Sequence, residues 1–216
     1  MIESILKEKL IVKTTANVYT MGQLNKNTQS IWIVFHGYGQ MAEHFIRKFS
    51  FLEQSFIIAP EATNYFYLQG TSGRIGANWM TAYEREDAIK DYINYLNEIA
   101  YLYQLNQKSH LKINLLGFSQ GVATLSRWYS QINFQINNII LWGALIPDSL
   151  ELKNQFNPSN TYCVYGDEDV YIKANQEYFD KQLKTYENLQ YKIIRYRGGH
   201  RIPISELKGL YTKLWK

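Results

Sequence analysis

The sequence predicts an α/β protein, a mostly parallel sheet with helices on both faces, built as one domain over residues 1–216. Short, near-continuously apolar runs alternate with longer amphipathic ones, the pattern of buried parallel strands joined by crossover helices. No internal repeat, low-complexity block or proline-rich linker interrupts that alternation. With 46% apolar residues in 216, the chain can bury a large core unaided, which argues against disorder and against a disulfide-stapled miniature.

The elements follow in order. Leu10–Tyr19 alternates imperfectly and is expected at a sheet edge. Ile31–Phe35 (IWIVF) and Phe56–Ala59 (FIIA) are strands, with a helix over Met41–Phe51 between them. The aromatic run Tyr65-Phe66-Tyr67-Leu68 reads equally as a core strand or as the lining of a cleft. In Tyr83–Tyr103, residues Ile89, Tyr92, Ile93, Leu96, Ile99 and Tyr103 recur at spacings of three and four, giving a helix with one apolar stripe. Glu84, Glu86 and Asp87 crowd its first turns, where the helix dipole favours negative charge; this is a solvated helix start, not a binding site. Strands Lys112–Leu116, Asn138–Trp142, Tyr162–Tyr165 and Tyr191–Tyr196 then alternate with helices over Ser119–Gln131, Tyr171–Leu183 and Ile204–Trp215.

Composition removes several function classes. The net charge is +4, but the 23 basic residues are scattered and no nucleic-acid motif accompanies them, so no nucleic-acid partner is expected. Met1–Lys13 lacks the layout of a signal peptide. The apolar stretches Ile31–Phe35 and Ile139–Ile146 fall far short of the roughly 20 residues of a membrane helix. A single cysteine, Cys163, suits a reducing compartment, and a cytoplasmic location is expected. Four dispersed histidines and no phosphate-cradling glycine motif imply neither metal nor cofactor. Eighteen tyrosines and ten phenylalanines leave room for a contact surface such as that of a homodimer.

The chemistry begins where strand Lys112–Leu116 runs into Gly117-Phe118-Ser119-Gln120-Gly121 and a helical pattern starts at once. Glycines two residues either side let strand and helix approach closely and leave the serine hydroxyl exposed at the tip of the turn. The bare pattern arises by accident in about one chain of this length in fifteen. Its position at a strand–helix junction is what makes Ser119 a candidate nucleophile. A serine needs a base, and the base an orienting acid, in the chain order nucleophile, acid, histidine. His44 reads as a helix-face residue and His110 as a loop residue before a strand; only His200 follows Ser119, in the glycine loop after the last strand. Gly166-Asp167-Glu168-Asp169-Val170 supplies acids in the right interval, with Asp148 as an outside candidate. Spacing alone does not choose between Asp167 and Asp169. Upstream, Ile31–Phe35 runs into His36-Gly37-Tyr38-Gly39-Gln40, a loop suited to present backbone N–H groups to an oxyanion, with Gln120 N–H as the second donor.

HGYGQ (36–40), GANWM (76–80), GFSQG (117–121), GDEDV (166–170) and GGH (198–200) together resemble the phospholipase/carboxylesterase group of α/β-hydrolases, which includes acyl-protein thioesterases. The five pieces occur in order and span nearly the whole chain. The resemblance implies an α/β-hydrolase domain without a large cap, with Ser119 as nucleophile, Asp169 as acid, His200 as base, and Tyr38 and Gln120 N–H groups as the oxyanion hole. It also implies a substrate contact at Trp79, with Phe118 beside the nucleophile as a second candidate. The implied reaction is hydrolysis of a small-molecule ester or thioester. Val170-Tyr171 departs from the proline and aliphatics that commonly follow the acid, and Thr63–Asn78 does not match well enough to name a substrate. Rival classes are a non-catalytic binding module and an acyltransferase on the same scaffold.

Overall fold

The computed structural model describes residues 5–148 and 150–215; Met1–Ser4, on which part of the leader reading rests, lie outside them. In chain order come β1 (Val18–Met21), β2 (Ser30–Phe35), α1 (Ala42–Phe45), β3 (Ser55–Pro60), β4 (Asn64–Gln69), β5 (Ser72–Asn78) and α2 (Arg85–Leu102). Then follow β6 (Lys112–Phe118), α3 (Gln120–Tyr129), β7 (Asn138–Trp142), α4 (Leu150–Asn154), β8 (Thr161–Gly166), α5 (Val170–Lys173), α6 (Gln176–Asn188), β9 (Lys192–Tyr196) and α7 (Ile204–Leu210). Seven strands form one sheet in the order β1-β3-β2-β6-β7-β8-β9. β1 is antiparallel and every other neighbouring pair is parallel. The parallel interior, the helix-covered faces and the edge position of the first strand are as the sequence predicts.

Alternation along β2 shows how the two faces are filled. Ile31, Ile33 and Phe35 point into one cluster with Tyr92, Ile93, Leu96 and Ile99 of α2 and Val122, Leu125 and Trp128 of α3. Trp32 and Val34 point into the other, with Ala42 and Phe45 of α1, Leu207 of α7 and Trp215. Each strand residue therefore serves one layer or the other, which is why these strands carry no polar face. The consequence for function is rigidity at the strand ends, where the parallel register brings the loops after β2, β6, β8 and β9 together.

Differences from the sequence reading are local. β1 covers only Val18–Met21, and residues 10–17 carry no strand. The helix expected over Tyr171–Leu183 is two, α5 and α6, because the Asn175 side chain turns back to the Tyr171 carbonyl and the Asn175 backbone leaves helical geometry. The first helix shortens to α1 plus a 3₁₀ turn over Ile46–Phe49, and the last ends in a π turn over Tyr211–Trp215. α4 was not anticipated. The reading of Tyr65–Leu68 as a core strand is overturned. These residues form one arm of a separate hairpin, β4–β5, with Tyr65, Tyr67 and Leu68 exposed. A two-stranded ribbon has no second layer to bury its aromatics against, so apolar composition misled.

Candidate active site

Ser119 stands at the junction of β6 and α3 with φ 53° and ψ −119°, a left-handed conformation that costs an L-residue on the order of 1–3 kcal/mol. The surroundings over-determine it. Its N–H donates to the Trp142 carbonyl at 2.8 Å. A Cβ on Gly121 would lie 2.3 Å from the Phe35 carbonyl oxygen, so α3 is seated directly on the end of β2 with no room for a side chain. The motif glycine is thus a requirement of close packing.

The loop after β9 brings His200 to the serine, with Nε2 2.9 Å from Ser119 Oγ. On the other ring edge, Nδ1 lies 2.6 Å from Asp169 Oδ2. Asp169 is 1% exposed and its second oxygen, Oδ1, accepts the N–H groups of Tyr171 at 2.9 Å and Ile172 at 3.4 Å. The carboxylate caps α5 with one oxygen and meets the imidazole with the other. Of the two aspartates that spacing left open, Asp169 is the one that faces His200. Asp167 accepts the Gly198 N–H at 3.0 Å, which holds its carboxyl below the usual range, and pairs with Arg195. It ties the acid loop to the histidine loop. Asp148 pairs with the buried Lys153 at 2.9 Å. His44 lies exposed on α1 and His110 in an exposed turn before β6, as read.

Tyr38 and Gln120 supply N–H groups that, among the described residues, donate to no protein acceptor. The loop that carries Tyr38 is braced: Gly37 N–H donates to Gln40 Oε1 at 3.0 Å, and Gly39 N–H to the Ala77 carbonyl at 2.8 Å. The Gln120 side chain accepts the Trp79 N–H at 3.0 Å and donates to the Met80 carbonyl at 2.9 Å. Trp79 is 2% exposed, packs on Phe35 and Tyr92, and donates its indole N–H to the His36 carbonyl at 3.0 Å. That places it behind the loop instead of on an open surface. Phe118 is also buried, its ring 4.9 Å from that of His200. Cys163 is buried, which pushes its thiol pKa up and leaves no thiolate to compete with the serine.

His36, fully buried at the start of the loop, accepts the Ala62 N–H on Nε2 at 3.1 Å, so its proton sits on Nδ1, facing the Gly37 carbonyl at 2.8 Å. Burial holds this imidazole's pKa down to about 4, against 6.5 for a free histidine. The unfolded chain therefore takes up the proton first as pH falls. The stability that neutral His36 contributes is complete above about pH 6.5 and drains away between 6.5 and 4, by roughly 3 kcal/mol. Urea unfolding at a series of pH values is expected to show this loss in the wild type, and His36→Gln is expected to lack that part of the acid dependence.

A sequence model described as phospholipase/carboxylesterase matches residues 20–216. The chain belongs to the phospholipase/carboxylesterase family. No curated protein sequence matches it. Solved structures similar to this family member include acyl-protein thioesterase 2 from Zea mays, at 14% identity and TM-score 0.65, covering 93% of this chain and 98% of that one. A phospholipase/carboxylesterase from Dyadobacter fermentans matches at 19% identity and TM-score 0.63, over 94% and 97% of the two chains. YahD, solved with malic acid, matches at 15% and 0.65, over 93% and 98%. At these identities the likeness establishes the α/β-hydrolase fold. No helix among the described residues is long and apolar enough to cross a membrane.

Two neighbours of the site escaped the sequence. Tyr171 sets its ring 4.6 Å from that of His200, edge to face. The signal was the departure after the acid, but only the fold shows that it touches the histidine. Glu61, at the end of β3, is fully buried beside the loop; nothing in its local sequence sets it apart.

Proposed function

We propose that this chain is a serine hydrolase that cleaves carboxylic ester or thioester bonds through an acyl-enzyme intermediate. The continuous hydrogen-bonded line Ser119–His200–Asp169 carries the proposal. His200 Nε2 removes the Ser119 proton as the oxygen attacks the carbonyl, and Asp169 fixes the tautomer and stabilises the imidazolium. The N–H groups of Tyr38 and Gln120, free of protein acceptors among the described residues, stabilise the oxyanion as it forms. His200 then gives the proton to the leaving alcohol or thiol, and the same base later activates water to release the acid. The family is one of ester hydrolases, and acyl-protein thioesterase 2 among the structural neighbours makes a thioester the natural second substrate.

The test is a series of p-nitrophenyl esters of increasing chain length run beside an acyl thioester, with water as the only acceptor. The expected result is a burst of p-nitrophenol equal to the enzyme concentration, followed by steady turnover to free acid. Absence of both burst and turnover from folded protein over the whole series would leave a binding module as the better account.

A further inference from the structure

The Glu61 carboxylate takes no part in this chemistry, yet it is fully buried and accepts three hydrogen bonds. Oε2 accepts the N–H of Ala42, the first residue of α1, at 2.9 Å. Oε1 accepts Asn17 Nδ2 and the Tyr65 hydroxyl, each at 3.2 Å. Every partner is a donor, the complement of an ionised carboxylate, which only accepts. Among the described residues no ion pair includes it. A buried carboxylate without a counter-ion is costly, so its retention asks for a use.

What it joins supplies that use. Tyr38 sits in the loop between β2 and α1. Ala42 ends that loop, and His36 begins it through the bond from Ala62 N–H to Nε2. Two consecutive residues, Glu61 and Ala62, thus hold both ends of the loop. The third arm runs through Tyr65 to the β4–β5 hairpin, whose second strand takes the Gly39 N–H on the Ala77 carbonyl. There the two backbones touch: a Cβ on Gly76 would lie 2.7 Å from the Gly39 carbonyl oxygen. Burial, first, and the charge of Glu61 push the Tyr65 hydroxyl up to about 12, in keeping with a proton held toward that carboxylate.

We infer that Glu61 is a positioning residue for the Tyr38 oxyanion donor: it never touches the reacting atoms, but it fixes the peptide that donates to them. The inference rests on the serine-hydrolase reading of the site. Oxyanion donors accelerate a reaction only when held in place before charge develops, so loosening one slows chemistry and leaves ground-state binding intact.

Glu61→Gln tests it, because an amide oxygen can accept at one end only, and either Ala42 or the Asn17–Tyr65 pair loses its acceptor. On p-nitrophenyl acetate, kcat is expected to fall by about tenfold to a hundredfold with KM within about twofold. Affinity for a trifluoromethyl ketone, whose adduct places an oxyanion in the same hole, is expected to fall by the same factor as kcat. Tyr65→Phe, which keeps the Ala42 bond, should lose less than about fivefold. An unchanged kcat, an effect confined to KM, or an unchanged ketone affinity alongside a lower kcat would each overturn the inference. If Glu61→Gln does not fold, the double variant Asn17→Ala, Tyr65→Phe, which strips Oε1, carries the same comparison, with a fall in kcat at constant KM supporting it and no fall overturning it. Failure of the hydrolase reading has a different signature, a wild type that turns over nothing or a Ser119→Ala variant that keeps its activity.

Discussion

Ser119→Ala is expected to lower kcat on an activated ester by on the order of 10⁶-fold while the protein stays folded. Only the hydroxyl is removed, and the base and acid that act through it become useless together, so the loss matches that of the whole triad. Steady-state assay alongside thermal unfolding checks both halves. Alanine inherits the φ of 53°, so stability should hardly change. Ser119→Gly, equally inactive, should be more stable by about 1 kcal/mol because glycine occupies that conformation without a Cβ penalty. A variant that lost activity only by unfolding would show the opposite.

Asp169→Asn should reduce kcat by about 10⁴-fold. Its Oδ1 caps α5 by accepting the Tyr171 and Ile172 N–H groups, and asparagine can do the same only with its carbonyl oxygen. The amide nitrogen is then forced to the Oδ2 position, 2.6 Å from His200 Nδ1, where it donates. The imidazole must put its proton on Nε2, the atom that should accept from Ser119. Asp167→Asn is the matched control. It weakens the Gly198 and Arg195 contacts but leaves the tautomer alone, so kcat should stay within about threefold. Equal losses in the two variants would mean that the acid works by bracing loops and not by orienting the base.

The architecture was readable because burial on both faces writes itself into a strand as an unbroken apolar run; β2, with every residue buried, is the clearest case. The serine was readable because Gly117 and Gly121 mark a turn where backbone leaves no room for a side chain, Gly117 against Gly121 and Gly121 against Phe35. The hairpin was not. Tyr65 and Tyr67 look like core residues until the pairing of β4 with β5 shows that they lie on a ribbon that leaves them half exposed. The choice between Asp167 and Asp169 turns on which carboxylate faces His200, and that depends on β9 lying beside β8 in the parallel register that pairs Gly166 with Tyr196. Glu61 was invisible for the same reason: its partners lie at Asn17 just before β1, at Ala42 in α1 and at Tyr65 in β4. Local patterns report propensity and burial, whereas a three-way junction is a property of the assembled sheet.

The central claim is that Ser119 is an activated nucleophile, and covalent capture with a fluorophosphonate tests it most directly. Intact-mass and peptide measurements should find one adduct per chain, on Ser119, and none on Ser119→Ala. Folded wild-type protein that remained unmodified, or that carried the adduct on another residue, would contradict the account.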